Sequence, residues 1–254
     1  MTNRDDLGVE IDGFVAVVEL RRPPHNYFDE PFLKGLADIF ERLDADPAVR
    51  CLVLAAQGKA FCAGADFGDQ DTSEAGLRAV YRQAARLFAT EKPVIAAIQG
   101  AAVGGGLGLA LVPDFRIVSE EARFSANFVK IGIHPGFALS LTLPRLIGER
   151  QAAAMFYTGR RVSGREALDF GLADKLVALP DLRAAAMAFA QEIAEAAPLA
   201  IASVRKTLRV GLLEAVSAQI EYEISEQLAL FATADFREGV AAVAERRTAH
   251  FSGV

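Results

Sequence analysis

Two short stretches of this chain could hold bare backbone N–H groups against a ligand oxygen. At Gly104-Gly105-Gly106 three glycines open what reads as a helix, so its first N–H groups have no partner one turn back and the positive end of the helix dipole faces outward. At Ala63-Gly64-Ala65-Asp66 a glycine-permitted turn offers another N–H with only small side chains around it. Taken singly, each is an ordinary turn or packing device. GGGLG has neither the GxGxxG spacing of a dinucleotide-binding fold nor the GxxxxGK(S/T) of a phosphate-binding loop. Taken together, in this order and about 40 residues apart, they are a more specific signal.

The elements that must position these loops follow from hydrophobic patterning. Arg50-Cys51-Leu52-Val53-Leu54-Ala55-Ala56 is short, apolar and bounded by Gln57-Gly58, which reads as a buried strand feeding a loop over 57–69. Before it, Val9-Glu10-Ile11, the turn Asp12-Gly13 and the apolar run from Phe14 to Leu20 read as a hairpin. Residues 30–44 and about 73–90 carry helical periodicity, and Pro93 to Ile98 is another apolar strand. Residues 100–119 then read as a turn, a glycine-opened helix and a further strand. This is an α/β pattern with loops leaving strand ends, where ligand sites usually lie. From about residue 181 the pattern is helical, broken at Pro198, with Phe231-Ala232-Thr233-Ala234-Asp235 offering an N-cap before a last helix. The apolar residues of that tail need cover, either from its own body or from a second subunit.

Composition narrows the class. With 254 residues, 52% of them hydrophobic, the chain can build a substantial core. A net charge of −6 and a pI near 5.2 argue against a nucleic-acid track or an anionic membrane surface as the main partner. Only Cys51 and Cys62 are present, without CxxC pairing, so neither a disulfide framework nor a metal knuckle is expected. The expected compartment is reducing and cytoplasmic, since the N-terminus lacks a basic flank followed by an apolar stretch and no long apolar run suggests a span.

The two loops, with residues around them, resemble the crotonase (enoyl-CoA hydratase/isomerase) superfamily. The matching pieces are Lys59-Ala60-Phe61-Cys62-Ala63-Gly64-Ala65-Asp66, Ile98-Gln99-Gly100-Ala101-Ala102-Val103-Gly104-Gly105-Gly106, Asp114 and Ile131-Gly132-Ile133-His134-Pro135-Gly136. Thr158 to Ala167, Phe170 to Ala173 and Phe231 to Gly239 match in the same order, so the resemblance covers nearly the whole chain. It implies an α/β fold, a spiral of ββα turns over residues 1–195, with a C-terminal helical region over 196–254 that makes homotrimers, often paired as hexamers. It also implies an acyl-CoA substrate whose thioester oxygen lies between the N–H groups of Ala65 and Gly105. Ala63 and Gly104 flank these donors, and no metal or redox cofactor is implied, coenzyme A being part of the substrate.

The same resemblance exposes two departures. Hydratases of this kind use two glutamates, and here their places hold Gly108 and Phe128; the acid used by related isomerases falls at about Gly136. General acid–base groups each contribute about 10²–10⁴-fold, so ordinary syn hydration is not expected. His134, the only histidine of the region, is the replacement acid–base candidate because its pKa suits proton transfer near neutrality. Asp66 is expected to cap or tether its loop, Cys62 to be a packed thiol and Phe128 to line an apolar acyl pocket. Arg21 or Arg22, and Arg246, fall at positions that in the family approach the coenzyme, the last across a subunit boundary. Rival readings are a hydratase with relocated acid–base groups, an acyl-CoA decarboxylase or thioester hydrolase, and a non-catalytic acyl-CoA carrier.

Overall fold

Strands β1 (Leu7–Asp12) and β2 (Val15–Leu20) form the expected antiparallel hairpin about Gly13, whose φ of +58° suits glycine. The computed structural model describes residues 6–65 and 71–254. Strand β2 then pairs in parallel with β3 (Cys51–Ala56), which is buried at every position and pairs in parallel with β5 (Val94–Ile98). Strands β7 (Phe115–Ser119) and β10 (Lys175–Val177) complete a six-stranded sheet in the order β1-β2-β3-β5-β7-β10. A second sheet is built from short strands in the order β4 (Ala60–Cys62), β6 (Ala101–Val103), β8 (Arg123–Ser125) and β9 (Val162–Ser163). From β3 to β8 successive strands alternate between the two sheets, as a spiral of ββα turns requires.

Helix α1 (Glu30–Ala45) forms where its periodicity predicts. The Asp29 carboxylate accepts the Phe32 N–H at 2.8 Å, and Pro31 occupies the first turn, where no N–H is needed. Its apolar stripe of Phe32, Leu33, Leu36, Phe40 and Leu43 is fully buried, and each such side chain contributes about 1.5–3 kcal/mol. Helix α2 (Glu74–Phe88) is capped by the Ser73 hydroxyl and packs against α1 on one side. On the other side it meets α9 (Leu212–Phe231).

Asp114 ties the helical tail to the sheet. Its carboxylate accepts the Val94 N–H, the Arg205 Nε–H and an Arg209 guanidinium N–H, each at 2.9 Å. Pro198 does not merely interrupt the tail but opens α8 (Pro198–Leu208), and Thr233 caps α10 (Ala234–Glu245) by accepting the Phe236 N–H. Helix α10 lies on a 3-10 turn at Asn127–Ile131 of its own chain. Among the described residues no single helix is long and apolar enough to cross a membrane.

Candidate active site

The two glycine loops leave adjacent strands of the smaller sheet. Strands β4 and β6 are parallel neighbours, so Ala63-Gly64-Ala65 and Gly104-Gly105 emerge side by side. Gly64 has φ +90°, and a Cβ on it would lie 3.0 Å from the Val103 carbonyl oxygen and 3.2 Å from the Gly105 nitrogen. Only glycine therefore lets the two backbones approach this closely. The first loop is braced from behind: Phe28 N–H donates to the Gly64 carbonyl and Ala63 N–H to the His25 carbonyl, both at 2.9 Å. Gly104, at φ +56°, precedes helix α3 (Gly105–Ala110), and the Phe28 ring occupies the space a Cβ on Gly105 would need, 2.6 Å away. The N–H groups of Ala65 and Gly105 have no hydrogen-bond partner among the described residues.

Both loops open into one cavity of about 480 Å³. Its walls include Phe28, Leu77, Phe128 and Ile131, together with Val240 and Val243 of α10. No aspartate or glutamate lines it among the described residues. At Gly108 an acid would not fit: a Cβ there would lie 2.6 Å from the Cβ of Phe137, whose ring fills the space. Phe137 and Ala138 both have positive φ, +66° and +55°, a conformation that costs about 1–3 kcal/mol per residue. The buried Glu223 carboxylate holds this turn by accepting the Ala138 N–H at 2.7 Å and the Ser140 N–H at 3.0 Å. Burial nonetheless pushes its pKa up to about 7.

Ala63, Ala65, Gly104, Gly105 and Phe128 thus share one cavity. His134 does not line it: its Nδ1 lies 2.7 Å from the Pro135 carbonyl oxygen and its ring stands edge-on to Tyr222. The structure thus places His134 apart from the cavity that holds the two loops, and a general base must reach the proton it moves. Arg22 lines an adjoining cavity of about 590 Å³, but its guanidinium is already 2.7 Å from Asp6 and 3.0 Å from Asp29 and stacks over Phe32. Its charge is largely compensated before any phosphate arrives. Arg246 is exposed at the end of α10 and lines neither cavity. The expectation for Asp66 lies outside the described residues. Cys62 is the packed thiol expected, donating to the Asn26 carbonyl at 3.1 Å, with burial raising its pKa to about 12.

The polar groups that do reach the cavity include Tyr81 and Gln227. The Tyr81 hydroxyl donates to the Gln227 Oε1 at 2.9 Å, and the Gln227 Nε2 donates to the His134 carbonyl at 2.9 Å. A Cβ on Gly136 would fall 1.9 Å from the Tyr81 hydroxyl oxygen, so the phenol takes up the space beside that glycine. Sequence reasoning missed both. They sit on α2 and α9, 146 residues apart, at positions whose helical spacing signals only burial.

The enoyl-CoA hydratase/isomerase family model matches residues 10–254. A probable enoyl-CoA hydratase of Bacillus subtilis (strain 168) is 32% identical, the match covering 97% of this chain and 98% of that one. (E)-Benzylidenesuccinyl-CoA hydratase of Thauera aromatica is 35% identical over 96% of this chain and 98% of its own. The crystal structure of an enoyl-CoA hydratase/isomerase from Pseudoalteromonas atlantica T6c has 33% identity and superposes with a TM-score of 0.89, covering 97% of this chain and 100% of that one. The chain belongs to the enoyl-CoA hydratase/isomerase family. It is an acyl-CoA-processing enzyme of that superfamily, with the crotonase fold.

Proposed function

We propose that the chain binds an acyl-CoA thioester with its carbonyl oxygen between the N–H groups of Ala65 and Gly105, and so stabilises an oxyanion or enolate. The observation that carries this reading is the convergence of two unpartnered N–H groups, from parallel neighbouring strands, on one largely apolar cavity. Each donor of this kind is typically worth about 2.7–4 kcal/mol in the transition state. Coenzyme A enters as part of the substrate, and no metal or redox group takes part in the reading.

Ordinary syn hydration is not the proposed reaction. It needs a base for water and an acid for the α-carbon, but no aspartate or glutamate lines the cavity among the described residues, and Phe128 and the packed Gly108 stand at the places where hydratases of the family carry glutamates. Chemistry that needs the polarised thioester but no carboxylate base fits better, and acyl-CoA decarboxylation is the simplest case: loss of carbon dioxide itself delivers the electron pair to the enolate. The hydratase names of the relatives favour the second reading, a hydratase with relocated acid–base groups.

NMR of the protein in deuterated water with crotonyl-CoA and with methylmalonyl-CoA, which carries an α-carboxylate, separates these readings. Loss of carbon dioxide with deuterium delivered to the α-carbon, without hydration, is the result expected of enolate stabilisation, and appearance of 3-hydroxybutyryl-CoA would establish the hydratase reading instead. Neither reaction, with tight binding, would point to a carrier. We further propose that Leu199, Leu208, Val210 and Leu213, exposed by 86%, 77%, 77% and 40%, are covered by other copies of the chain in a trimer or hexamer. Sedimentation equilibrium tests this, and a monomer at micromolar concentration would refute it.

A further inference from the structure

We propose that Tyr81 makes this cavity selective for acyl-CoA thioesters whose acyl group carries a hydroxyl, because the phenol presents only a hydrogen-bond acceptor to the cavity. The argument begins at Gln227, which is 1% exposed. A carbonyl oxygen cannot donate, so the amide end facing the His134 carbonyl must be Nε2, and the orientation of Gln227 is fixed without reference to hydrogens. Its Oε1 then faces Tyr81 and can only accept, so the Tyr81 proton must point at Gln227. What remains on the phenol oxygen is lone-pair capacity, with no donor directed at it among the described residues.

The group is held in place. Tyr81 is 8% exposed and lines the cavity that contains Ala65 and Gly105. Gly136 has no side chain to exclude the hydroxyl, which sits 1.9 Å from where a Cβ would be. Burial, and behind it the charge of Glu223, raise the phenol pKa, so the oxygen stays protonated and does not become a general base. A substrate hydroxyl facing this oxygen would donate to it, whereas a methylene there would leave a desolvated acceptor unpaired. A ketone or carboxylate oxygen would be repelled by it.

This inference rests on the reading of the cavity as an acyl-CoA site, and the experiment separates the two. Butyryl-CoA, 3-hydroxybutyryl-CoA and 4-hydroxybutyryl-CoA are titrated calorimetrically into the wild type, Tyr81→Phe and Gly136→Ala, with folding checked by circular dichroism. One hydroxylated ligand should bind the wild type about tenfold more tightly than butyryl-CoA, and the ratio should fall to about one in either variant. Equal binding of all three ligands by the wild type overturns the selectivity while leaving the acyl-CoA reading intact, and needs no variant to fold. A hydroxyl preference that survives in Tyr81→Phe also overturns it. Failure of every ligand to bind the wild type overturns both.

Discussion

Replacing Gly64 by alanine tests the two-donor geometry where it is tightest. The new Cβ would lie 3.0 Å from the Val103 carbonyl oxygen, 3.2 Å from the Gly105 nitrogen and 3.5 Å from the Gly106 nitrogen, against ordinary contact beginning near 3.4 Å. The Val103 side cannot give way easily, because Val103 is paired with Ser125 in the sheet. The loops must therefore part by a few tenths of an ångström, and the residue must also take a φ of +90°, at a cost of about 1–3 kcal/mol in stability. Parting the loops misaligns one donor, which in the transition state is worth about 2.7–4 kcal/mol, or about 10²–10³ in kcat. Ground-state binding loses less, about tenfold, since a neutral hydrogen bond contributes about 0.5–1.5 kcal/mol net. Isotope-edited infrared spectroscopy of butyryl-CoA labelled at the thioester carbonyl gives a readout independent of turnover: the stretch should be lowered on binding to the wild type and return toward its solution value in the variant. A folded Gly64→Ala protein with the wild-type stretch and wild-type turnover would refute the assignment of Ala65 and Gly105 as paired donors.

Two further outcomes follow from the same geometry. Because His134 lies outside the cavity, His134→Ala should leave turnover within about threefold, far less than the 10²-fold or more carried by a true acid–base group; a larger drop in steady-state kinetics would return His134 to the chemistry. Glu223 has a folded pKa of about 7 against an ordinary value of 4.5, so the folded protein binds more protons between those pH values. Its contribution is then fully present below pH 4.5 and lost as pH rises through about 7. The midpoint of thermal unfolding should fall across this window, and Glu223→Gln should flatten that slope; an unchanged slope would refute the assignment.

Where a stretch is long and periodic, its sequence already specifies its element. Helix α1 announces itself through Asp29, Pro31 and the spacing of Phe32, Leu36, Phe40 and Leu43, and β3 through an unbroken apolar run. The glycine loops were legible because backbone chemistry needs particular residue types at particular places. The smaller sheet was less so: β4, β6 and β8 are three residues each, too short for any period to register. Three features of the site depend on contacts between distant segments and left no local trace. Phe137 fills the space beside Gly108, Tyr81 stands against Gly136, and Asp6 with Asp29 neutralises Arg22. The polar residue that stood out in the sequence, His134, does not line the cavity, while Tyr81 and Gln227, which do, read as core.

The side-by-side exit of the two loops sets a tolerance on the whole design. Parallel neighbouring strands lie about 4.8 Å apart, and two donors that each sit about 2.9 Å from one oxygen can be no more than about 5.8 Å apart. The sheet itself is thus the ruler for the donor pair, and the loops only finish what strand spacing begins. A one-residue slip of β4 against β6 would carry Ala65 about 3.3 Å along the strand and out of reach of any oxygen held by Gly105. A single insertion within Ala60–Cys62, where the registration of the pair is decided, should therefore disable the donor pair even if the rest of the sheet is kept.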